Sequence, residues 1–508
     1  MLPQPKDAEL FIGIVARVGV DLKKASQFIL NALDDYGYEV FEIKTTAALL
    51  ELKDVGPISD KTAEEKYATY IQACNGLRKT TRMNDIMARL AVSQISTARG
   101  EEGALRRRAY IINQLKRHEE SELLRSIYGE HYIQISIHTG FEQRERQLSD
   151  RIADDHAEQP RGENWITNAR RLMDKDEAQE DEEYGQSVRD VFPTSDVVVD
   201  ATSPISLKDG LNRFFRALFG DFRVTPTLEE YGMQLANTAA LRSSDLSRQV
   251  GAAIINRSAE IQALGCNEVP KAGGGTYWTG DDNDGREFQL ERDSNDERKR
   301  ELLLDIAARM ADAGLISDQY KNDANALRKA LLDREDDKIK NSQLMDSLEY
   351  GRTVHAEMNA ITDAARNGHA IRGCDMYVNT FPCHNCAKHI VASGIKVVHY
   401  LRPYPKSYAR QLFRDSIVID PPSGVDDKLV LKQFIGICGP IFERIFSKQK
   451  WKGKDGIVPP FNKKGASFIR RTPIPAYIEA EKHLLIALTE RLLTDSLIDE
   501  PQPGAAKA

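Results

Sequence analysis

The sequence predicts an α/β protein of two domains followed by a short C-terminal piece, and three observations lead there. The chain has 508 residues, more than a single hydrophobic core ordinarily organises. Its first half alternates short apolar runs with amphipathic stretches, the pattern of strands joined by helices into a parallel sheet. Its second half places a histidine, a glutamate and two cysteines in a helix, strand, helix context between residues 354 and 394. The expected division is 1–223, 224–445 and 446–508.

Taken in order, residues 10–15 form an apolar strand, 23–36 an amphipathic helix and 38–43 a second strand, with further buried strands at 132–137 and 196–199. Gly13 and Gly19 bracket the stretch between the first strand and the first helix, where a phosphate-binding loop would sit. Val20 and Asp21, however, stand where such a loop carries its lysine and its magnesium-binding hydroxyl. A glycine turn and a nucleotide-binding loop both stay open there, while kinase or ATPase chemistry is not expected. Residues 151–189, with the acidic run 174–183, read as a solvated insertion or a flexible connection. An amphipathic helix at 211–220 follows, and residues 224–227 cross into the second domain.

In that domain, residues 229–241 read as a helix and 250–256 with 261–266 as a hairpin. A long insertion, 270–352, opens on Gly273-Gly274-Gly275 and holds a helix near 299–313; it either shapes substrate choice and subunit contacts or is decoration. The helix 354–365, the strand 376–380, a helix from the cysteines to Gly394 and the strand 397–401 then follow. Beyond them lie a basic stretch, 448–471, and an amphipathic helix, 477–493, suited to core docking or to an oligomer contact; a homo-oligomer is expected.

The chemistry is concentrated in His355-Ala356-Glu357 and Pro382-Cys383-His384-Asn385-Cys386. One imidazole and two thiolates supply three zinc ligands and leave a fourth tetrahedral position for water, which zinc makes nucleophilic at neutral pH. Glu357, two residues past the ligand histidine, is placed to shuttle a proton without ligating the metal. Water then replaces the exocyclic amine of a nucleobase. A structural zinc site is the alternative, but it ordinarily closes with four protein ligands. The candidates for a fourth fit poorly, since His384 falls between the cysteines and His389 lies about one turn along the helix.

Composition narrows the substrate. A formal net charge of −7 provides no general basic surface for tracking a long phosphate backbone. The 6 cysteines show no disulfide-framework spacing once two are assigned to zinc, which fits a reducing cytosol. The first residues carry no signal-peptide pattern and no apolar run approaches the ~20 residues of a membrane span, so a cytoplasmic protein without membrane contact is expected.

Five stretches together, residues 241–252, 265–270, 352–358, 381–390 and 403–407, resemble the deoxycytidylate deaminase family. Over nearly its full length the chain is similar to the bacterial anti-phage dCTP deaminases, which join a P-loop-kinase-like parallel-sheet domain to a cytidine-deaminase-like α/β/α domain. The resemblance implies Zn²⁺ as cofactor, free deoxycytidine nucleotides as substrates, depletion of dCTP during infection, and an inhibitory small RNA as a partner. It places Asn267 near the substrate sugar and Ser247 and Arg248 near the phosphate. Arg402, Tyr404 and Lys406, just beyond the strand 397–401, are candidates for the polyphosphate, with Arg402 standing where many relatives carry an acidic residue. A polynucleotide-editing deaminase is one alternative, and would need a basic, aromatic-lined channel. A nucleotide- or RNA-sensing module is the other, against which the intact zinc and glutamate set argues.

Overall fold

The computed structural model describes residues 9–100, 107–156, 163–177, 183–317, 323–332, 339, 342–347, 349–404, 406–421, 427–448, 452, 457–458, 460–466, 468 and 477–499. The N-terminal stretch, residues 178–182 of the acidic run, Pro405, and parts of the insertion and of the basic stretch 448–471 lie outside the described residues. The chain forms two compact units, one of residues 1–230 with 434–508 and the other of residues 231–433.

The first unit is built on a six-stranded sheet of β1 (Leu10–Ala16), β2 (Glu39–Lys44), β3 (Arg108–Asn113), β4 (Tyr132–His138), β5 (Val197–Asp200) and β12 (Gly436–Ile437), in the order β12-β5-β4-β1-β3-β2. The first five strands run parallel and β12 pairs antiparallel with β5. Alternation along β1 divides the two faces. Leu10, Ile12, Ile14 and Ala16 pack with Ala25, Ile29 and Leu33 of the helix Leu22–Asp34 and with Leu211, Phe214 and Phe215 of the helix Pro204–Leu218. On the other side Phe11 stacks on Tyr128 at a centroid separation of 3.6 Å.

Two expectations change here. Among its described residues, the charged stretch 151–189 contains the end of the helix Phe141–Asp155 and the helix Glu163–Glu177, and Leu148, Ile152, Ala169, Leu172 and Met173 of these two helices form a small core with Val18. Dense charge on the outer faces hid an apolar stripe at helical spacing. The other change concerns the C-terminal boundary, expected at 445/446. The chain returns to the first unit at Phe434, because the two residues of β12 extend its sheet and the helix Tyr477–Thr494 docks on it. Leu488 and Leu492 of that helix pack with Leu77, Ile86 and Leu90, and its Glu481 joins Glu9 on opposite sides of the buried Arg99 guanidinium. Core docking accounts for the last helix.

The second unit holds β6 (Gly251–Ile255), β7 (Ile261–Cys266), β8 (Asp375–Thr380), β9 (Val397–Arg402), β10 (Ile417–Ile419) and β11 (Leu429–Gln433), in the order β10-β11-β9-β8-β6-β7. The β6–β7 hairpin and the β6–β8 pair are antiparallel, whereas β8, β9, β11 and β10 are parallel. Met376, Val378, Val398 and Tyr400 face the helices Ala356–Asn367 and His384–Ser393. Between them in sequence, Tyr377 and His399 stack on each other at 4.7 Å on the opposite face. There a Cβ added at Gly232 would lie 2.5 Å from the Tyr377 ring, so the helix Leu228–Ala240 covers that face with a glycine in contact. The unit is an α/β/α layer structure.

Candidate metal centre and active site

Two helix N-termini deliver the predicted ligands to one place. His355 is the N-cap of the helix Ala356–Asn367, and the residue before it, Val354, is fixed by a two-hydrogen-bond bridge to Glu268 at 3.0 and 3.2 Å. Cys383 is the N-cap of the helix His384–Ser393, where its sulfur accepts the Cys386 N–H at 3.4 Å. A thiolate there gains from the helix dipole and the free N–H groups of the first turn. The first helix can approach β7 so closely because residue 265 is glycine: a Cβ there would lie 2.3 Å from the Ala356 carbonyl oxygen. Asn359 locks the contact by donating to the Cys266 carbonyl at 2.8 Å.

His355 Nδ1 lies 3.3 Å from Cys383 Sγ and 3.3 Å from Cys386 Sγ. All three ligand atoms fall within 4.8 Å of one another. Tetrahedral zinc with bonds of about 2.3 Å to sulfur and about 2.0–2.1 Å to nitrogen sets its ligand atoms roughly 3.5–3.8 Å apart, so this set fits the ion with small adjustments. Among the described residues the group has three members, and the other nearby histidines are turned to other tasks. His389 Nδ1 donates to the Asn385 carbonyl at 2.8 Å, and His384 faces Glu349 at 3.8 Å with its ring edge-on to Tyr408.

Glu357 is buried, with Oε2 3.3 Å from Cys386 Sγ. Burial, reinforced by the nearby Cys383 charge, pushes its carboxyl up to about 7. The hydrogen bond with Cys383 pushes His355 up to about 9 despite its burial. Cys383 is drawn down to about 4 by its hydrogen bond with Cys386 and by the facing imidazole, while Cys386 is raised by its partner thiolate and by burial.

A cavity of about 410 Å³ opens onto this group. Ser247, Arg248, Asn267, Tyr404 and Lys406 line it together with His355, Glu357 and Cys383. Arg402 is not part of the lining; it is the exposed last residue of β9, where its carbonyl accepts the Phe381 N–H at 2.7 Å. Gly13 and Gly19 belong to the other unit. Gly13 sits inside β1, paired to both neighbouring strands, and a Cβ there would lie 2.4 Å from the Tyr132 hydroxyl. Gly19 has φ +97° and would bring a Cβ 2.8 Å from the Arg144 carbonyl, so close packing and a left-handed turn account for it.

Asn267 proves to be a clamp. Its Oδ1 accepts the Val250 N–H at 2.7 Å and its Nδ2 donates to the Arg248 carbonyl at 2.7 Å, fixing the loop that bears Ser247 and Arg248. The other end of that loop is held by Asp245, whose Oδ1 accepts the N–H groups of Ser247 and Arg248 at 2.9 and 3.2 Å. The buried Glu268 carboxylate accepts from Ser244 N–H and Oγ at 3.0 and 2.7 Å. Asp245 and Glu268 were not singled out from the sequence, although Glu268 lies next to Asn267. The insertion contributes Glu287, Asp293, Asn295, Met345 and Arg352 to the cavity wall, so it is not decoration. Only the adjacency of Arg352 to the ligand histidine signalled this beforehand.

With this geometry established, the comparisons assign the domain. Residues 226–402 match the model described as the cytidine and deoxycytidylate deaminase zinc-binding region, and the C-terminal half of the chain carries a domain of that family. The chain is 54% identical over 54 residues to deoxycytidylate deaminase of Enterobacteria phage T2, an alignment covering 11% of this chain and 29% of the relative. It is 28% identical over 172 residues to deoxycytidylate deaminase of Pongo abelii, covering 34% of this chain and 63% of the relative. It is 39% identical over 80 residues to ComE operon protein 2 of Bacillus subtilis, covering 16% and 42%. In each case the chain spans less than two thirds of the relative's length. Among solved structures, dCMP deaminase from the cyanophage S-TIM5 in complex with dCMP and dUMP aligns at 16% identity over 41% of this chain and 98% of that one, with a TM-score of 0.22.

Proposed function

We propose that the protein is a zinc-dependent hydrolase that deaminates free deoxycytidine nucleotides, dCTP to dUTP and dCMP to dUMP, with release of ammonia. The observation that carries this reading is the convergence of His355 Nδ1 and the sulfurs of Cys383 and Cys386 beside buried Glu357, on the wall of a cavity of nucleotide size. The matched zinc-binding region and the names of the relatives support a deoxycytidylate as substrate class.

His355, Cys383 and Cys386 would hold the zinc, which would supply an activated water at neutral pH. Glu357 takes a proton from the attacking water and delivers it to N3 of the cytosine, then carries the second to the 4-amino group. Oxygen adds at C4, the C4–N bond breaks, and ammonia leaves. A carboxyl pushed toward neutrality by burial suits a group that must both accept and return a proton. Arg248, Arg352 and Lys406 are the cationic side chains for a phosphate tail on a wall that also carries Asp245, Glu287 and Asp293. Closure of that wall by the insertion favours a single nucleotide over a threaded strand.

The experiment is to incubate zinc-loaded full-length protein with dCTP, dCMP, CTP, deoxycytidine and single-stranded DNA, and to identify the uracil product and ammonia. Conversion of the free deoxynucleotides supports the proposal, and conversion of DNA alone overturns it. The wider proposal, resting on the resemblance, is that dCTP is drained during phage infection by a homo-oligomer held inactive by a small RNA until then. It predicts that phage protection and the fall in cellular dCTP both disappear in Glu357→Ala. It predicts also that the purified protein has the mass of several chains and carries an RNA whose digestion raises activity. The P-loop-kinase-like first domain is proposed to regulate without transferring phosphate.

A further inference from the structure

The first unit has a cavity of its own, of about 640 Å³, whose walls include residues following the carboxyl ends of β1, β2 and β3. In that sheet the connection leaving β1 runs to β2 on one side, whereas those leaving β3 and β4 run to the other. Ligands of open parallel sheets bind beyond the strand ends at such a reversal.

The wall carries five basic side chains, Lys44, Lys66, Arg78, Lys116 and Arg151, against two acidic ones, Glu120 and Asp176. Arg78 pairs with Glu120 at 2.9 Å, Lys116 with Asp176 at 2.5 Å, and Lys66 with Asp60 at 2.6 Å. Lys44 and Arg151 have no carboxylate partner among the described residues; Arg151 donates to the Tyr67 hydroxyl at 3.1 Å. Their two positive charges match one phosphate monoester of about −1.5 to −2.

The ordinary phosphate position, the turn after β1, is already filled by the protein. The Val18 N–H donates to Asp176 at 2.8 Å, and Asp21 caps the following helix by accepting the Lys24 N–H at 3.1 Å. An entering anion is therefore directed away from that turn, toward Lys44 and Arg151. Arg78 Nε, in a side chain 1% exposed, and Asn113 Oδ1 belong to lining residues, are buried, and make no hydrogen bond among the described residues. A buried donor and a buried acceptor left unmade each carry a desolvation cost. Tyr67 and Tyr70 add aromatic surface to the same wall.

From these observations we infer that this cavity binds a nucleoside monophosphate, its phosphate on Lys44 and Arg151 and its base among Tyr67, Tyr70, Arg78 and Asn113. The site is separate from the zinc centre and involves no phosphoryl transfer.

Calorimetric titration of the zinc-loaded full-length protein with AMP, GMP and UMP tests it, since none of the three is a deoxycytidine nucleotide. At least one is expected to bind once per chain, with inorganic phosphate and the matching nucleoside at least tenfold weaker. Lys44→Ala and Arg151→Ala should each weaken it at least tenfold, Lys44→Arg should restore it to within threefold, and Arg248→Ala should leave it within twofold. Both lysine and arginine side chains are exposed, so unchanged melting accompanies these results. Binding of none of the three nucleotides, binding indifferent to both alanine variants, or binding abolished by Arg248→Ala overturns the inference.

Discussion

The two sheets of this chain end in opposite arrangements of charge. At the β1 turn of the first unit the polar groups already have protein partners, Asp176 on the Val18 N–H and Asp21 on the first helix. At the ligand turns of the second unit, an imidazole and two thiols face one another 3.3 Å apart around the histidine, a grouping that only shared protons or a cation makes stable. A site of chemistry is distinguished by groups the fold converges without neutralising. A loop of similar position whose donors are satisfied from within serves packing.

The sharpest way to break the comparison is to remove a converging group. Cys383→Ala or Cys386→Ala is expected to release zinc, reduce turnover to background and lower the melting temperature, because the metal and the two helix starts are held by the same bonds. Metal analysis beside a thermal melt measures this; a full complement of tightly bound zinc in both variants contradicts the ligand assignment. Next comes Asn267→Ala, which strips the Val250 N–H and the Arg248 carbonyl of their partner. It should cost about 1–3 kcal/mol of stability and lower kcat/KM by an order of magnitude or more while zinc content stays the same. Chemical denaturation and steady-state kinetics on the same preparation separate the two effects.

A smaller effect of similar kind is expected on the other side of the comparison. Gly19→Ala forces a side chain into a left-handed turn against the Arg144 carbonyl and should cost about 1–3 kcal/mol without changing deamination. Loss of deamination in that variant at full zinc would show that the β1 turn does more than pack. The most delicate signal is protonic. Near pH 7, metal-free His355, raised to about 9, holds its proton, and so does Cys386, whose thiol is likewise raised, while Cys383, drawn down to about 4, has already lost its own. Zinc binding at that pH should release about two protons, read from the buffer dependence of the binding enthalpy, and the apparent affinity should fall as pH is lowered.

The zinc set was legible in the sequence because each ligand lies at a helix start and the spacing within each motif is local; the structure had only to bring two short segments together. Substrate-site candidates were less legible. Asn267 reaches the cavity wall, yet its amide is spent on the backbone of 248 and 250, and whether a strand's last side chain turns inward, as Arg402 does not, depends on the pleat and on the chain beyond it. Two features left almost no local trace. β12 is two residues long, too short for any alternation to announce that the chain has returned to the first sheet. The wall residues Glu287, Asn295 and Met345 arrive from an insertion whose closure over the site is set by long-range contacts such as Asn295 Nδ2 to the Ser347 carbonyl at 2.9 Å.

The most direct test of the central claim is Glu357→Gln, with zinc content and deoxycytidine nucleotide turnover measured on one sample. The substitution keeps the shape of a buried side chain and removes its ability to carry a proton. The expected result is one zinc per chain, with turnover lowered by about 10²–10⁴-fold or more. Near-normal turnover at full zinc, or zinc lost together with activity, would contradict the separation of metal ligands from proton carrier on which the mechanism rests.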